Sequence, residues 1–342
     1  FMKDNLCPIV GISCGDLNGI GVEIILKSLH DSRILEFFTP IIFANQELLL
    51  SQKKRFNIEL SFNKIKMSQK PEQGKINVVN VWEDSFKLEF GKSTKKSGEL
   101  SFRSLEAVTK SLKENNVDIM VTAPINKQNI QSDKFNFPGH TDYLSNQFQG
   151  ESLMFMISEE LKLGLLTDHI SVKEIISNVS LEKIKSKITI MQKSLKIDFG
   201  ISKPKIAVLS INPHAGDGGV IGKEDEEILS PALIEISKLG CLISGPFSSD
   251  SFFGAMLHKK YDAVLAIYHD QGLIPFKTLS FGEGVNFTAG LNKVRTSPDH
   301  GTGYDIAGKN IANPTSFTNA IFCGLKVFNN RNAHNNLIMK QS

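Results

Sequence analysis

From residue 8 to residue 268 the chain keeps returning to short, almost wholly apolar β-type runs that stop on polar or glycine-bearing turns: 8–13, 40–45, 76–82, 117–122, 161–167, 205–211 and 263–268. Runs this apolar on both faces suit strands covered on both sides, which is the condition of a parallel sheet flanked by helices. Helical patterns fall between them, as in 101–115, where Phe102, Leu105, Val108 and Leu112 recur at helical spacing. Alternation of this kind argues for an α/β chain with a doubly wound, mostly parallel sheet. At 342 residues the chain is long enough for one large or two medium domains. The polar, lysine-rich stretch 51–74 reads as an irregular connection.

Ligands of open parallel sheets gather at the carboxyl ends of the strands. Three apolar runs end within a few residues of a histidine, at His169, His214 and His269. Three imidazoles would leave one position open on a cation, the arrangement of a catalytic rather than a structural site. Their nitrogens suit zinc best and cobalt next, whereas magnesium prefers oxygen donors. The passage after His269 is the densest in chemistry. Lys277, Asn286 and Arg295 follow at nine-residue intervals, each read as lying beside a turn or short β-like run and able to face one anion. Asp299-His300-Gly301-Thr302-Gly303-Tyr304-Asp305 then forms a glycine-rich loop whose amides can approach phosphates or a nucleotide. His140 and Thr141 stand where a helix would begin, another place suited to an anion. The acids Glu224, Asp225, Glu226 and Glu227 read as first-turn residues of a helix.

Other patterns narrow the field. Gly15 to Glu23 resembles a dinucleotide fingerprint, but Ile24 stands where a third glycine is required, and Gly91-Lys92-Ser93 lacks the upstream glycine of a P-loop. A net charge of +3 with no concentrated basic face argues against nucleic acid. No apolar run reaches the length of a membrane span. Cys7, Cys14, Cys241 and Cys323 are far apart with no C-x-x-C, which favours reduced thiols in a cytoplasmic protein. The strand-like run from Cys7 to Ser13 does not suit a signal peptide, and Phe1 ahead of Met2 reads as an added residue.

Gly15-Asp16-x-x-Gly19-Ile20-Gly21-x-Glu23, Thr122-Ala123-Pro124-Ile125-Asn126-Lys127, Gly139-His140-Thr141, Asn212-Pro213-His214-Ala215-Gly216, Gly245-Pro246 with Asp250, Tyr268-His269-Asp270-Gln271-Gly272 and Asp299-His300-Gly301-Thr302 together resemble the 4-hydroxythreonine-4-phosphate dehydrogenase family of pyridoxal phosphate biosynthesis. The chain departs from that family's usual pattern at Leu17, Asn18 and Val22, at Val220 where a further histidine is usual, and at Leu273-Ile274-Pro275. The resemblance implies a two-domain α/β/α sandwich like that of isocitrate and isopropylmalate dehydrogenases. Its domains would be 1–124 with 276–342, and 125–275, with the active site in the cleft between them. It implies His169, His214 and His269 as metal ligands, with zinc, cobalt or magnesium bound. Substrate contacts would be His140, Thr141, Lys277, Asn286 and Arg295, and NAD or NADP would sit on His300, Gly301, Thr302, Asp305 and Asn313. Asp250, Asp270 and Lys277 are the implied catalytic groups, Asp270 also suiting the orientation of its neighbour His269. A homodimer sharing its site across the interface is implied as well. So is the reaction: NAD-dependent oxidation of 4-phosphooxy-L-threonine to a β-keto acid that loses carbon dioxide to give 3-amino-2-oxopropyl phosphate. A phosphate acyltransferase on a similar fold and a non-catalytic phosphate or metal-binding regulator are the competing readings; neither needs an open metal position.

Overall fold

The computed structural model describes residues 7–148 and 150–341, so the Phe1-Met2 start lies outside the described residues. In chain order the elements are β1 (Ile9–Ser13), α1 (Gly21–Ser28), β2 (Thr39–Ala44), α2 (Gln46–Arg55), β3 (Phe62–Ile65), β4 (Ile76–Asn80), α3 (Lys95–Lys113), β5 (Ile119–Thr122) and α4 (His140–Phe148). They continue with β6 (Leu153–Ile157), β7 (Lys162–Leu165), α5 (Leu181–Ile197), β8 (Lys205–Leu209), α6 (Ser230–Lys238), β9 (Leu242–Phe247), α7 (Ser249–Gly254), β10 (Ala263–Ala266), α8 (His269–Ser280), β11 (Val285–Ala289), β12 (Val294–Pro298) and α9 (Thr315–Gln341). Local chemistry sets several helix starts. Asn45 accepts from the Leu48 amide, Thr94 from that of Ser97, and Ser180 from that of Lys183, each satisfying a donor that the first turn cannot pair. Among the described residues no helix is long and apolar enough to cross a membrane.

The chain forms two compact units, Phe1–Gln149 with Asn292–Phe328, and Gly150–Leu291 with Asn329–Ser342. In the first, strands run in the order β3-β4-β2-β1-β5-β12, every neighbouring pair parallel. β2 and β5 are buried along their whole length and β1 from Val10 onward, as their largely apolar sequences require. The stretch 51–74 is more ordered than its composition suggests. It holds the end of α2 and the edge strand β3, whose residues pair with β4 while most remain partly exposed.

In the second unit the order is β11-β6-β7-β10-β8-β9. β6 is antiparallel to both its neighbours, β11 and β7, and β7, β10, β8 and β9 are parallel. Met156, Leu163, Leu165, Ala207, Val264 and Ala266 of the strands pack with Leu273 and Phe276 of α8 and Phe252 of α7. The divisions fall elsewhere than at 124/125 and 275/276. Residues 125–149 cluster with the first unit, and residues 276–291 with the second, where β11 pairs along β6.

Candidate active site

The three strands that lead to histidines are neighbours. β10 lies between β7 and β8, parallel to both, so the loops carrying His169, His269 and His214 leave the sheet at one edge. Side chains staple these exits together. Thr167 donates to the Ile267 carbonyl at 2.7 Å, closing the end of β7 onto that of β10. Gln271 accepts from the Ile267 amide at 2.7 Å and donates to the Ser210 carbonyl at 2.6 Å and Ser249 Oγ at 2.8 Å, joining β10 to β8 and α7. The His169 and His269 rings stand 5.7 Å apart. With Asp168, Asp270 and Tyr268 they line a cavity of about 290 Å3.

His214 does not complete a set with them. Among the described residues no group of three His, Cys, Asp or Glu side chains is close enough to hold an ion. Nitrogen and carboxylate donors on one sheet edge have the chemistry a divalent cation needs, but one chain brings together only the His169 and His269 imidazoles. His214 sits in a turn where His214 and Ala215 both take left-handed φ values of 52°, at a cost of roughly 1–3 kcal/mol each. Buried Asp225 holds that turn by accepting from the amides of Ile211 at 2.7 Å and Asn212 at 2.8 Å, while Glu224 accepts from the Asn212 side chain. The acidic cluster therefore does more than complement a helix dipole.

Asp250 lies in the first turn of α7 and accepts from Ser248 Oγ at 2.6 Å and the Ser251 amide at 2.7 Å. These bonds, led by that from Ser248 and joined by the nearby His214, hold its pKa below the usual carboxylate range. Asp270 Oδ1 lies 2.7 Å from His269 Nδ1. Lys277 lies within α8 rather than in a turn, because residues 269–280 stay helical through Pro275. Asn286 lies on β11, its side-chain oxygen buried with no hydrogen-bond partner.

The first unit carries a cluster whose chemistry suits an anion. Arg295, on β12, is 2% exposed, and its Nε and Nη2 donate to Thr122 Oγ1 at the end of the adjacent β5 at 3.2 and 2.7 Å. Burial lowers its pKa to about 9, so it stays charged at neutral pH. His140 is the first residue of α4, which is held in place by Tyr143 packing its ring 5.3 Å from Phe135 and 6.2 Å from Phe102. Burial first, then the charges of Arg295 and Lys127, push the His140 pKa well below 6.5. Its Nε2 is buried without a partner, and the neutral ring can meet a ligand there. Thr141 follows in the first turn.

The glycine-rich loop folds against the turn after β1. The Ile20 amide donates to the Thr302 carbonyl at 2.9 Å, and a Cβ on Gly19 would stand 2.6 Å from that oxygen. The glycine that suggested a dinucleotide fingerprint thus makes room for protein backbone. At the far end of the loop, Glu23 accepts from the Ala312 amide at 2.9 Å and pairs with Lys27 at 2.7 Å. His300 Nε2 is buried and has no partner, Asp305 is exposed, and the amides of Gly301 and Thr302 border the same turn. Asn313 instead accepts from the Thr315 amide and hydroxyl, at 2.9 and 2.6 Å, as a cap of α9. The His300 Nδ1 lies 3.0 Å from the Gly301 carbonyl oxygen, and the unpartnered Nε2 beside a glycine-rich turn fits a nucleotide.

Sequence reasoning passed over Asp16, Gln271 and Asp225 as working residues. Each also acts through partners distant in sequence, which the local pattern does not reveal.

The profile of the family "Pyridoxal phosphate biosynthetic protein PdxA" matches residues 36–323. A 4-hydroxythreonine-4-phosphate dehydrogenase from Bacteroides thetaiotaomicron is 43% identical over 96% of this chain and 91% of the relative. Another of that name, from Sulfurihydrogenibium sp., is 41% identical over 91% and 96%. The crystal structure of the 4-hydroxythreonine-4-phosphate dehydrogenase from Klebsiella pneumoniae superposes with a TM-score of 0.80 at 30% identity, covering 95% of this chain and 99% of that one.

Proposed function

The chain belongs to the pyridoxal phosphate biosynthetic protein PdxA family and is accordingly an oxidoreductase of pyridoxal phosphate biosynthesis; we propose that it oxidises 4-phosphooxy-L-threonine with NAD. The product, 2-amino-3-oxo-4-phosphooxybutanoate, then loses carbon dioxide to give 3-amino-2-oxopropyl phosphate. The observation that carries this reading is the adjacency of β7, β10 and β8, which delivers three histidines to one edge. A divalent cation, zinc before cobalt or magnesium, would be held by His169, His214 and His269 and would polarise the substrate oxygen.

The protein's own groups do the rest. Arg295, with Thr141 and the neutral His140, binds the anionic substrate, and Lys277 and Asn286 supply further contacts. Asp250, whose ionised form is favoured by bonds from Ser248 and Ser251, is our candidate to take the hydroxyl proton. Asp270 orients His269 through the 2.7 Å contact. His300, Gly301, Thr302 and Asp305 seat the nucleotide. We assign Asn313 to holding the start of α9 beside that seat.

The active species is proposed to be a cytoplasmic homodimer whose second copy completes the cation site, since one chain leaves His214 apart from the other two. β9 supports this as an edge strand with Leu242 exposed, next to Leu239, which is 81% exposed. The test follows reduced nicotinamide by absorbance with purified protein, 4-phosphooxy-threonine, NAD or NADP, and a series of divalent ions. Turnover that chelation stops and added cation restores is expected. No reduction under any combination, together with acyl transfer from an acyl phosphate, would favour the acyltransferase reading.

A further inference from the structure

The turn after β1 buries two polar side chains that neither the histidine edge nor the anion cluster uses. Asp16, with no exposed surface, accepts from four neutral donors on four different segments. These are the Asn18 amide at 2.9 Å, Ser97 Oγ in α3 at 2.7 Å, Asn129 Nδ2 after β5 at 2.6 Å, and the Tyr304 hydroxyl in the glycine-rich loop at 3.0 Å. Only a carboxylate offers enough lone pairs for four donors, since an amide has a single acceptor oxygen. Burying that charge is costly, so the four bonds must be kept together.

Asn18, equally buried, secures a further segment. Its Nδ2 donates to the Lys92 carbonyl at 2.9 Å and Thr94 Oγ1 at 3.2 Å, while its oxygens accept from the amides of Glu89 at 2.8 Å and Gly91 at 2.9 Å. Gly91 in turn lies against the Tyr304 backbone, where a Cβ would come within 2.8 Å of the Tyr304 carbonyl oxygen. Tyr304 is thus held at its hydroxyl by Asp16 and backed at its main chain by the segment that Asn18 secures.

We propose that Asp16 is a positioning residue for the nicotinamide nucleotide: its bond to Tyr304, with Asn18 holding the 89–94 segment behind that tyrosine, sets the glycine-rich loop in the shape that receives the nucleotide. This rests on the reading of that loop as the nucleotide seat.

Tyr304→Phe, Asp16→Asn and the double variant test it, through NADH titration, KM for the phosphorylated substrate, and hydrogen exchange of loop amides 302–309. Tyr304→Phe keeps the ring's packing, so it decides the matter where Asp16→Asn fails to fold. It is expected to weaken NADH binding about ten-fold, speed exchange in the loop, and leave the substrate KM within about two-fold. The double variant should bind NADH no more weakly than Asp16→Asn alone, because both changes break one bond. Unchanged NADH affinity and exchange in Tyr304→Phe, or additive losses in the double variant, would overturn the proposal. Failure of the unmutated protein to bind NADH would instead overturn the cofactor reading on which it stands.

Discussion

Nδ1 of His269 lies 2.7 Å from Oδ1 of Asp270, its neighbour in the first turn of α8. With Nδ1 engaged by the carboxylate, Nε2 is the nitrogen that the proposed cation would use. Asp270→Asn should therefore weaken divalent-cation affinity by about 10- to 100-fold, with turnover recovered at high cation concentration. His214→Ala should abolish reduced-nicotinamide formation altogether. Titrating the cation against turnover checks both, and full activity of His214→Ala in metal-free buffer would remove it from the ligand set.

Arg295 is held by Thr122 in a buried position from which a bidentate contact with an anion is possible. Arg295→Ala should raise KM for the phosphorylated substrate by about 10- to 100-fold, as expected for losing a charge-assisted pair. Burial disfavours its charge, yet a guanidinium keeps its proton throughout the working pH range, so Arg295 acts as a permanent cation and adds no limb to the pH profile. Unchanged kinetics in the variant would separate Arg295 from substrate binding.

Asp225 accepts two amides at the mouth of the His214 turn. Asp225→Ala leaves both without their acceptor and should cost about 2–4 kcal/mol of stability, and Asp225→Asn, which keeps one oxygen, roughly half of that. Denaturant melts measure the loss. Turnover should fall in step, and an Asp225→Ala protein of wild-type stability would contradict the assigned anchoring.

His258 is 3% exposed, and neither ring nitrogen has a hydrogen-bond partner. Burial, aided by Lys259 and opposed by Glu160, lowers its pKa from 6.5. Below 6.5 the unfolded chain binds a proton that the folded chain refuses, so stability is complete above that pH and is lost as pH falls toward the lower folded value. Stability should therefore fall between about pH 7.5 and about pH 5.5, and His258→Phe, which can pack against Phe253, should flatten that slope. Denaturant midpoints at the two pH values decide the matter; equal slopes in both proteins would acquit His258.

The apolar runs were legible as strands because an apolar β-type run depends only on neighbours in the chain, and so were the histidines that follow three of them. β3 was not, since Phe62 to Ile65 alternates weakly at an edge, and Lys277 was misplaced because Pro275 masks a helix that packing on β7 and β10 sustains.

By itself, then, the amino-acid order determined the α/β class, the strand ends and the residue types available there. Only the tertiary structure decided that β10 lies between β7 and β8 although it follows both in the chain, that His169 meets His269 while His214 stands apart, and that Asp16 meets Tyr304 across 288 residues. The physical reason is range. Periodicity and caps act over a few residues, whereas strand order and buried carboxylate partners are chosen by contacts that exist only after distant segments have packed.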